Sequence, residues 1–333
     1  MSKTAIVLFN LGGPDNSAAV EPFLFNLFFD PAIIALPLPL RWLIAKIISG
    51  RRAPVARAIY NRIGGKSPLL EQTQAQAQAL AAGLGPDHRV VIAMRYWHPL
   101  TEQAVTEIKE WGADRIVLLP LYPQFSTTTT GSSVALWTKA ARKAGLTAAT
   151  VKVCCYPRLP GLITAIANGV RRGLGQAGTH GKPRVLFSAH GLPQKIVDRG
   201  DPYPVHIRQT AVAVAEKIGL EDGDWAVCYQ SRVGPMKWLA PSLDDELERA
   251  AADGVAVVIC PIAFVSEHSE TLVELDMEYR ERADRMGVPG YIRVPTVGTD
   301  PAFISGLIEL AGNPAMGCDG CARAGLSCSV RGT

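Results

Sequence analysis

What most limits how this chain can fold is a set of short Val-, Ile- and Leu-rich runs, each soon followed by glycine or proline. They lie at residues 5–10, 90–94 and 115–119, and again at 184–188, 226–230 and 255–260. The closing residues are Gly12-Gly13-Pro14, His98-Pro99 and Pro120, then Gly191-Leu192-Pro193, Gly234-Pro235 and Pro261. Such runs are the pattern of a parallel strand covered on both faces. Parallel neighbours need crossovers, and helix-like stretches at 69–83, 99–111, 205–218 and 242–253 supply them. The predicted fold class is α/β, with two similar lobes, each a parallel sheet flanked by helices.

At 333 residues the chain has room for about two domains of roughly 150 residues. The repeated strand order predicts a first lobe over residues 1–145, a second over 146–312 and a cysteine-bearing tail at 313–333. The hand-over is expected between 140 and 180, around the glycine-rich stretch 173–181. A helix over 301–311 is expected to pack back on the first lobe.

Charge excludes one class of partner. With 34 basic and 30 acidic residues the net charge is only +4, and no basic stripe of the kind that reads nucleic acid is present. Residues 1–4 run straight into a strand without the regions of a secretion signal, and seven cysteines make no disulfide framework at this length. The expectation is a reduced, cytoplasmic protein. Gly12-Gly13-Pro14 and Gly64-Gly65-Lys66-Ser67 fit neither the P-loop nor the dinucleotide spacing, which argues against nucleotide chemistry.

The most apolar stretch is 23–48, where Asp30, Arg41, Pro31, Pro37 and Pro39 interrupt any run long enough to span a bilayer, about 20 residues. Residues 41–48 mix bulky apolar side chains with cations, and Arg51 and Arg52 follow. This composition fits an exposed lip, either resting peripherally on a membrane or lining an apolar pocket. It equally fits a buried helix with snorkelling cations.

Two segments carry the chemistry. Ser188-Ala189-His190-Gly191-Leu192-Pro193 closes one expected strand, and Ser266-Glu267-His268-Ser269-Glu270-Thr271-Leu272 follows another. Ligands of open α/β sheets sit at strand carboxyl ends. His190 has small neighbours that leave its ring accessible, and an imidazole can take a proton or bind a metal near neutrality. Glu267, Glu270 and Glu274 are spaced to share one face of a helix; a merely solvated helix face is the competing reading. The glutamates flanking His268 are expected to favour its charged form. Imidazole with carboxylate suits Fe²⁺, and zinc or cobalt could use the same ligands.

Longer motifs narrow the choice. They are Leu11-Gly12-Gly13-Pro14, Arg51-Arg52-Ala53-Pro54, the run from Tyr60 to Pro68, Arg95-Tyr96-Trp97-His98-Pro99, Tyr122-Pro123-Gln124-Phe125-Ser126, the stretch from Gln230 to Trp238, and the run from Ser266 to Asp276. Together they resemble the ferrochelatases over nearly the whole chain. The resemblance implies two Rossmann-like, chelatase-like lobes and insertion of Fe²⁺ into protoporphyrin IX, the last step of haem synthesis. It implies that His190 takes pyrrole protons or receives iron, that Glu270 faces it, and that His268 supports Glu270. Glu267 and Glu274 then extend an acidic path, while Leu11, Arg95, Tyr96, Trp238 and Phe264 line the porphyrin site.

The tail places Cys318, Cys321 and Cys328 at C-x2-C-x6-C spacing. Many members of the family carry a [2Fe–2S] cluster on such cysteines plus one upstream. The cluster needs four thiolates, and Cys154 or Cys155 is the candidate for the fourth; the Tyr-Pro-Gln motif that provides it in animal relatives holds no cysteine here. Zinc or unligated thiols are the alternatives. Coproporphyrin as substrate, cobalt insertion, and a tetrapyrrole carrier without chemistry compete with the leading reading, and the sequence fixes no oligomeric state.

Overall fold

A computed structural model describes residues 2–178, 182–232 and 234–318, with only the backbone of Cys318. The chain divides into two compact units, one running to Cys155 and rejoined by Ile308–Cys318, the other spanning Tyr156–Leu307.

The first unit contains β1 (Thr4–Asn10), α1 (Val20–Phe28), α2 (Leu38–Asn61), α3 (Leu69–Gly83), β2 (His88–Met94), α4 (Thr101–Trp111), β3 (Arg115–Pro120), α5 (Ser132–Ala144) and β4 (Ala149–Lys152). Its four parallel strands lie in the order β2-β1-β3-β4. All seven residues of β1 are buried, which is why this strand reads as an unbroken apolar run. Phe9 meets Trp137 of α5 edge-on at 6.0 Å in the core. The division falls after Cys155, within the expected 140–180 stretch, and β4 continues the first sheet beside β3.

The second unit contains α6 (Pro160–Ala177), β5 (Arg184–His190), α7 (Gln194–Val197), α8 (Tyr203–Ile218), β6 (Trp225–Gln230), α9 (Leu243–Ala252) and β7 (Val257–Pro261). A π-helix (Glu270–Tyr279) then runs into α10 (Arg280–Met286), followed by β8 (Tyr291–Arg293). Its sheet repeats the first topology, β6-β5-β7-β8, again all parallel. The last helix, α11 (Pro301–Gly312), begins in this unit and passes into the first from Ile308.

The prolines of the apolar stretch do less than expected. α1 stops at Phe28, but Pro39 lies in the first turn of α2, where its missing N–H has no intrahelical partner to lose, and α2 runs on through Pro54. α2 also inverts the usual pattern. It buries the small residues Ala45, Ser49 and Ala53 and exposes Leu38, Leu40, Trp42, Leu43 and Ile47.

Candidate functional site

The chain of the second unit leaves β5 for β6 on one side and returns to β7 on the other, so the strand order reverses at the carboxyl end of β5. His190 is the last residue of that strand. Gly191 follows because a Cβ there would lie 2.8 Å from the Gln230 carbonyl oxygen. That close approach lets the Gly191 N–H donate to the same oxygen at 2.8 Å and seats the imidazole above the sheet edge.

After β7 the chain turns and enters the π-helix at Glu270. His190 Nδ1 and Glu270 Oε2 lie 2.7 Å apart, with 42% and 31% of their side chains exposed. Burial alone would lower the imidazole pKa, but the charge and hydrogen bond of Glu270 prevail and raise it to about 9. The carboxyl of Glu270 moves the opposite way: burial would raise it, and the imidazole partner holds it well below the usual carboxylate range. The pair therefore holds one proton near neutrality, and its titrations belong to both groups together.

Glu274, one turn along, is pushed up by burial and by the charge of Glu270. Its carboxylate accepts from the Ser231 backbone N–H at 2.8 Å, from Ser231 Oγ at 2.5 Å and from Gln230 Nε2 at 3.2 Å. Ser231 adopts φ 62°, a left-handed conformation unusual for a residue with a side chain, and both of its donors meet one acid. Gln230 is fully buried; its Oε1 accepts from Ser188 Oγ at 2.8 Å and its Nε2 also donates to the Glu270 carbonyl at 3.2 Å. The strand-end pair Gln230–Ser231 thus fixes the first turn of the π-helix. π-Helical turns are rare and concentrate at functional sites.

One expectation needs correction here. Glu267 does not share a helical face with Glu270 and Glu274, since the helix begins three residues later. Its Oε1 instead accepts from Arg293 Nη1 at 2.6 Å and from the Thr296 N–H at 2.9 Å, and Arg293 also grips Asp276. The charges of Glu270 and Glu267 do favour a charged His268, as expected, but burial outweighs them and lowers its pKa. The His268 Nδ1 accepts the Glu270 N–H at 3.1 Å, as a neutral ring does. Phe264 meets the His268 ring edge-on at 4.5 Å.

Trp238 lies half-buried near Gly191, and among the described residues its buried indole N–H has no hydrogen-bond partner. Leu11, Arg95 and Tyr96 belong to the first unit, at the carboxyl ends of β1 and β2. Cys154 and Cys155 are buried just after β4. The side chain of Cys318, together with Cys321 and Cys328, lies outside the described residues. Among the described residues no three His, Cys, Asp or Glu side chains form a metal-holding group, so His190 and Glu270 stand as a pair. Sequence reasoning missed Gln230, Ser231 and Arg293. Gln230 closes β6 and Ser231 follows it, the same signal that pointed to His190.

The family model for ferrochelatase matches residues 3–314. The chain belongs to the ferrochelatase family. It is 53% identical to the ferrochelatase of Phenylobacterium zucineum (strain HLK1) over 314 residues, covering 93% of this chain and 90% of that protein. It is 50% identical to the ferrochelatase of Wolbachia sp. subsp. Drosophila simulans (strain wRi) over 315 residues, covering 93% and 99%. The structure of SirB from Bacillus subtilis with Fe³⁺ is similar in fold, with a TM-score of 0.56 at 12% identity over 96% of this chain and 98% of that one.

Proposed function

We propose that this chain inserts Fe²⁺ into protoporphyrin IX, forming haem and releasing two protons, as the terminal step of haem synthesis. The observation that carries the reading is the 2.7 Å contact between His190 and Glu270 at the strand end where the sheet order reverses, in a chain about half identical to named ferrochelatases.

The geometry suits metal exchange. A hydrated ion must lose water before the pyrrole nitrogens can bind it. The pair offers one nitrogen and one carboxylate, leaving the other iron positions for water and then for the macrocycle. At rest it holds a proton. The positive charge of arriving iron favours loss of that proton, and Glu274, whose carboxyl burial and the charge of Glu270 push up, is assigned as its carrier. The freed imidazole then accepts the two pyrrole protons in turn, handing the first to Glu274 before taking the second, steps of a kind that contribute about 10²–10⁴-fold. His268 stays neutral and orients the Glu270 backbone, while Glu267 with Arg293 anchors the chain entering the π-helix. Leu11, Arg95, Tyr96, Trp238 and Phe264 are assigned to the porphyrin.

Two further assignments belong to this reading. Cys318, Cys321, Cys328 and either Cys154 or Cys155 would hold a [2Fe–2S] cluster, which supplies one-electron redox chemistry. In support, the Cys155 N–H donates to the Gly317 carbonyl at 3.1 Å, bringing the backbone next to Cys318 onto the buried cysteine pair. Among the described residues no helix is long and apolar enough to cross a membrane. The large apolar side chains exposed on α2 beside Arg41, Lys46, Arg51 and Arg52 support a peripheral contact with an anionic lipid surface from the cytoplasmic side.

Anaerobic assay with Fe²⁺ and protoporphyrin IX should give haem absorbance, with coproporphyrin and Co²⁺ turned over more slowly. Full activity in both His190→Ala and Glu270→Ala would sink the site; tight haem binding without metallation would make the chain a carrier. Loss of iron–sulfur visible bands in Cys154→Ser or Cys155→Ser would identify the fourth thiolate. Sedimentation with phosphatidylserine vesicles, weakened in Trp42→Glu, tests the lipid contact.

A further inference from the structure

Asp30 lies two residues beyond α1, and its side chain is only 2% exposed. The carboxylate accepts from Arg95 Nη2 at 2.7 Å, from the Tyr96 hydroxyl at 2.7 Å, from Ser132 Oγ at 2.5 Å and from the Ala32 N–H at 2.9 Å. Ser132 is shared, because its oxygen also accepts from Arg95 Nε at 2.7 Å. The guanidinium carbon sits 4.8 Å from the centre of the Tyr96 ring. Two of the three guanidinium nitrogens are thereby engaged, and among the described residues Nη1 alone makes no hydrogen bond.

A buried ion pair is weak evidence for stability, since its desolvation offsets most of its attraction. What this one provides is a fixed cation with a single free arm. Asp30 also governs the chain that follows: its carbonyl accepts from the N–H groups of Ile33 and Ile34, and Asn26 of α1 reaches the Tyr96 carbonyl at 3.0 Å. The carboxylate that holds the Arg95 guanidinium also takes the Ala32 N–H, so the first turn of the following segment and the cation share one residue.

Building on the assignment of Arg95 to the porphyrin, we infer that Asp30 is a positioning residue for porphyrin binding. It acts through Arg95, holding the guanidinium against Tyr96 so that Nη1 is offered to the substrate, and it touches no reacting atom itself. Misplacement of a binding group by an ångström can cost about 10²-fold.

The test is a double-mutant cycle on the full chain, using quenching of intrinsic fluorescence by protoporphyrin IX to measure Kd and the metallation assay for kinetics. Asp30→Asn keeps the volume and should raise Kd about ten- to hundredfold, while kcat at saturating porphyrin and KM for Fe²⁺ stay within about threefold. Arg95→Ala should do the same, and the double variant should be no worse than either single change. Independent, multiplying effects would overturn the inference, as would an unchanged Kd in folded Asp30→Asn. If circular dichroism shows that this variant does not fold, Ser132→Ala, which removes one bond from each partner, should raise Kd at least about threefold, and an unchanged Kd overturns the proposal. Wild-type metallation judges the function separately: an inert wild type refutes iron insertion, whereas the binding cycle judges Asp30 whichever way that result falls.

Discussion

Replacing Glu270 with glutamine removes the charge that organises the site while keeping its volume. In the wild type His190 rises from 6.5 to about 9, with Glu270 overcoming burial. Without the carboxylate charge burial acts nearly alone, so His190 should titrate below 6.5. The stability consequence has a definite sign. A folded-state pKa above the unfolded value contributes stability fully below about pH 6.5, and the contribution is lost as pH rises through about 9. Glu270 is displaced downward, so its side of the same pair contributes above its ordinary 4.5 and is lost as pH falls through about 2. In a sealed site the His190 shift would be worth about 3 kcal/mol. With 42% of the imidazole side chain exposed, solvent screening brings this to about 1 kcal/mol. Urea unfolding should therefore show Glu270→Gln weaker than wild type by about 1 kcal/mol near pH 6 and nearly equal to it above about pH 10. Imidazole NMR should follow the fall in pKa, and kcat/KM should drop by about 10²–10⁴, or about 3–5 kcal/mol of barrier. An imidazole that still titrates near 9 in the variant, or a stability loss that does not change with pH, would refute the reasoning.

Glu274→Gln should leave both KM values within about threefold and lower kcat about tenfold. Because the Glu274 pKa is raised, the wild-type rate should fail on the acid side above the ordinary 4.5, and the pH–rate profile of the variant should lack that limb. Gln230→Ala strands Ser188 Oγ and the Glu270 carbonyl in a buried site; at about 1–3 kcal/mol for each orphaned group, urea unfolding should show a loss of about 2–6 kcal/mol. Arg293→Met leaves Glu267 and Asp276 facing each other without their cation. It should cost about 3–5 kcal/mol near neutrality and recover part of that in acid, measurable by the same unfolding titration at two pH values.

Six of the eight strands were legible because burial on both faces turns a parallel strand into a continuous apolar word. The other two were not. β4 is a half-exposed edge strand of four residues, and β8 has only three. His190 was legible as a ligating side chain at a strand end beside a glycine, and Glu270 as part of an acidic group placed soon after another strand. Their 2.7 Å contact was not readable from spacing, since 80 residues separate them. Glu267 was misplaced because an i, i+3, i+7 pattern presumes an α-helix already under way, whereas the helix here starts at Glu270 and has π-type bonding. Nothing in residue types announced that its partner would be Arg293. Asp30 read as a charge interrupting an apolar run, and only folding reveals the donors that allow a carboxylate to be buried there.

The repeated topology lets the two strand ends be compared residue by residue. β1 and β5 occupy the same place in their sheets, and their last residues pair with the last residues of β2 and β6: Asn10 with Met94, and His190 with Gln230. The next residues are Arg95 and Ser231, and a carboxylate from another segment holds each one, Asp30 in the first unit and Glu274 in the second. The strand ends differ in what their own side chains face. Asn10 is 5% exposed; its Nδ2 donates to Thr73 at 2.9 Å and its Oδ1 accepts the Leu11 N–H at 2.8 Å, so both polar atoms are engaged inside the unit. His190 keeps two fifths of its side chain exposed and has one acid as its partner. The two sites should therefore answer opposite ways to exchange. Asn10→His cannot fit the ring or remake both bonds and should lose about 2–4 kcal/mol of stability. His190→Asn should lose only the screened pair, about 1 kcal/mol, yet nearly all metallation. Parallel urea unfolding and metallation assays compare them directly, and equal stability losses at the two positions would mean that the exposed strand end is not free for chemistry.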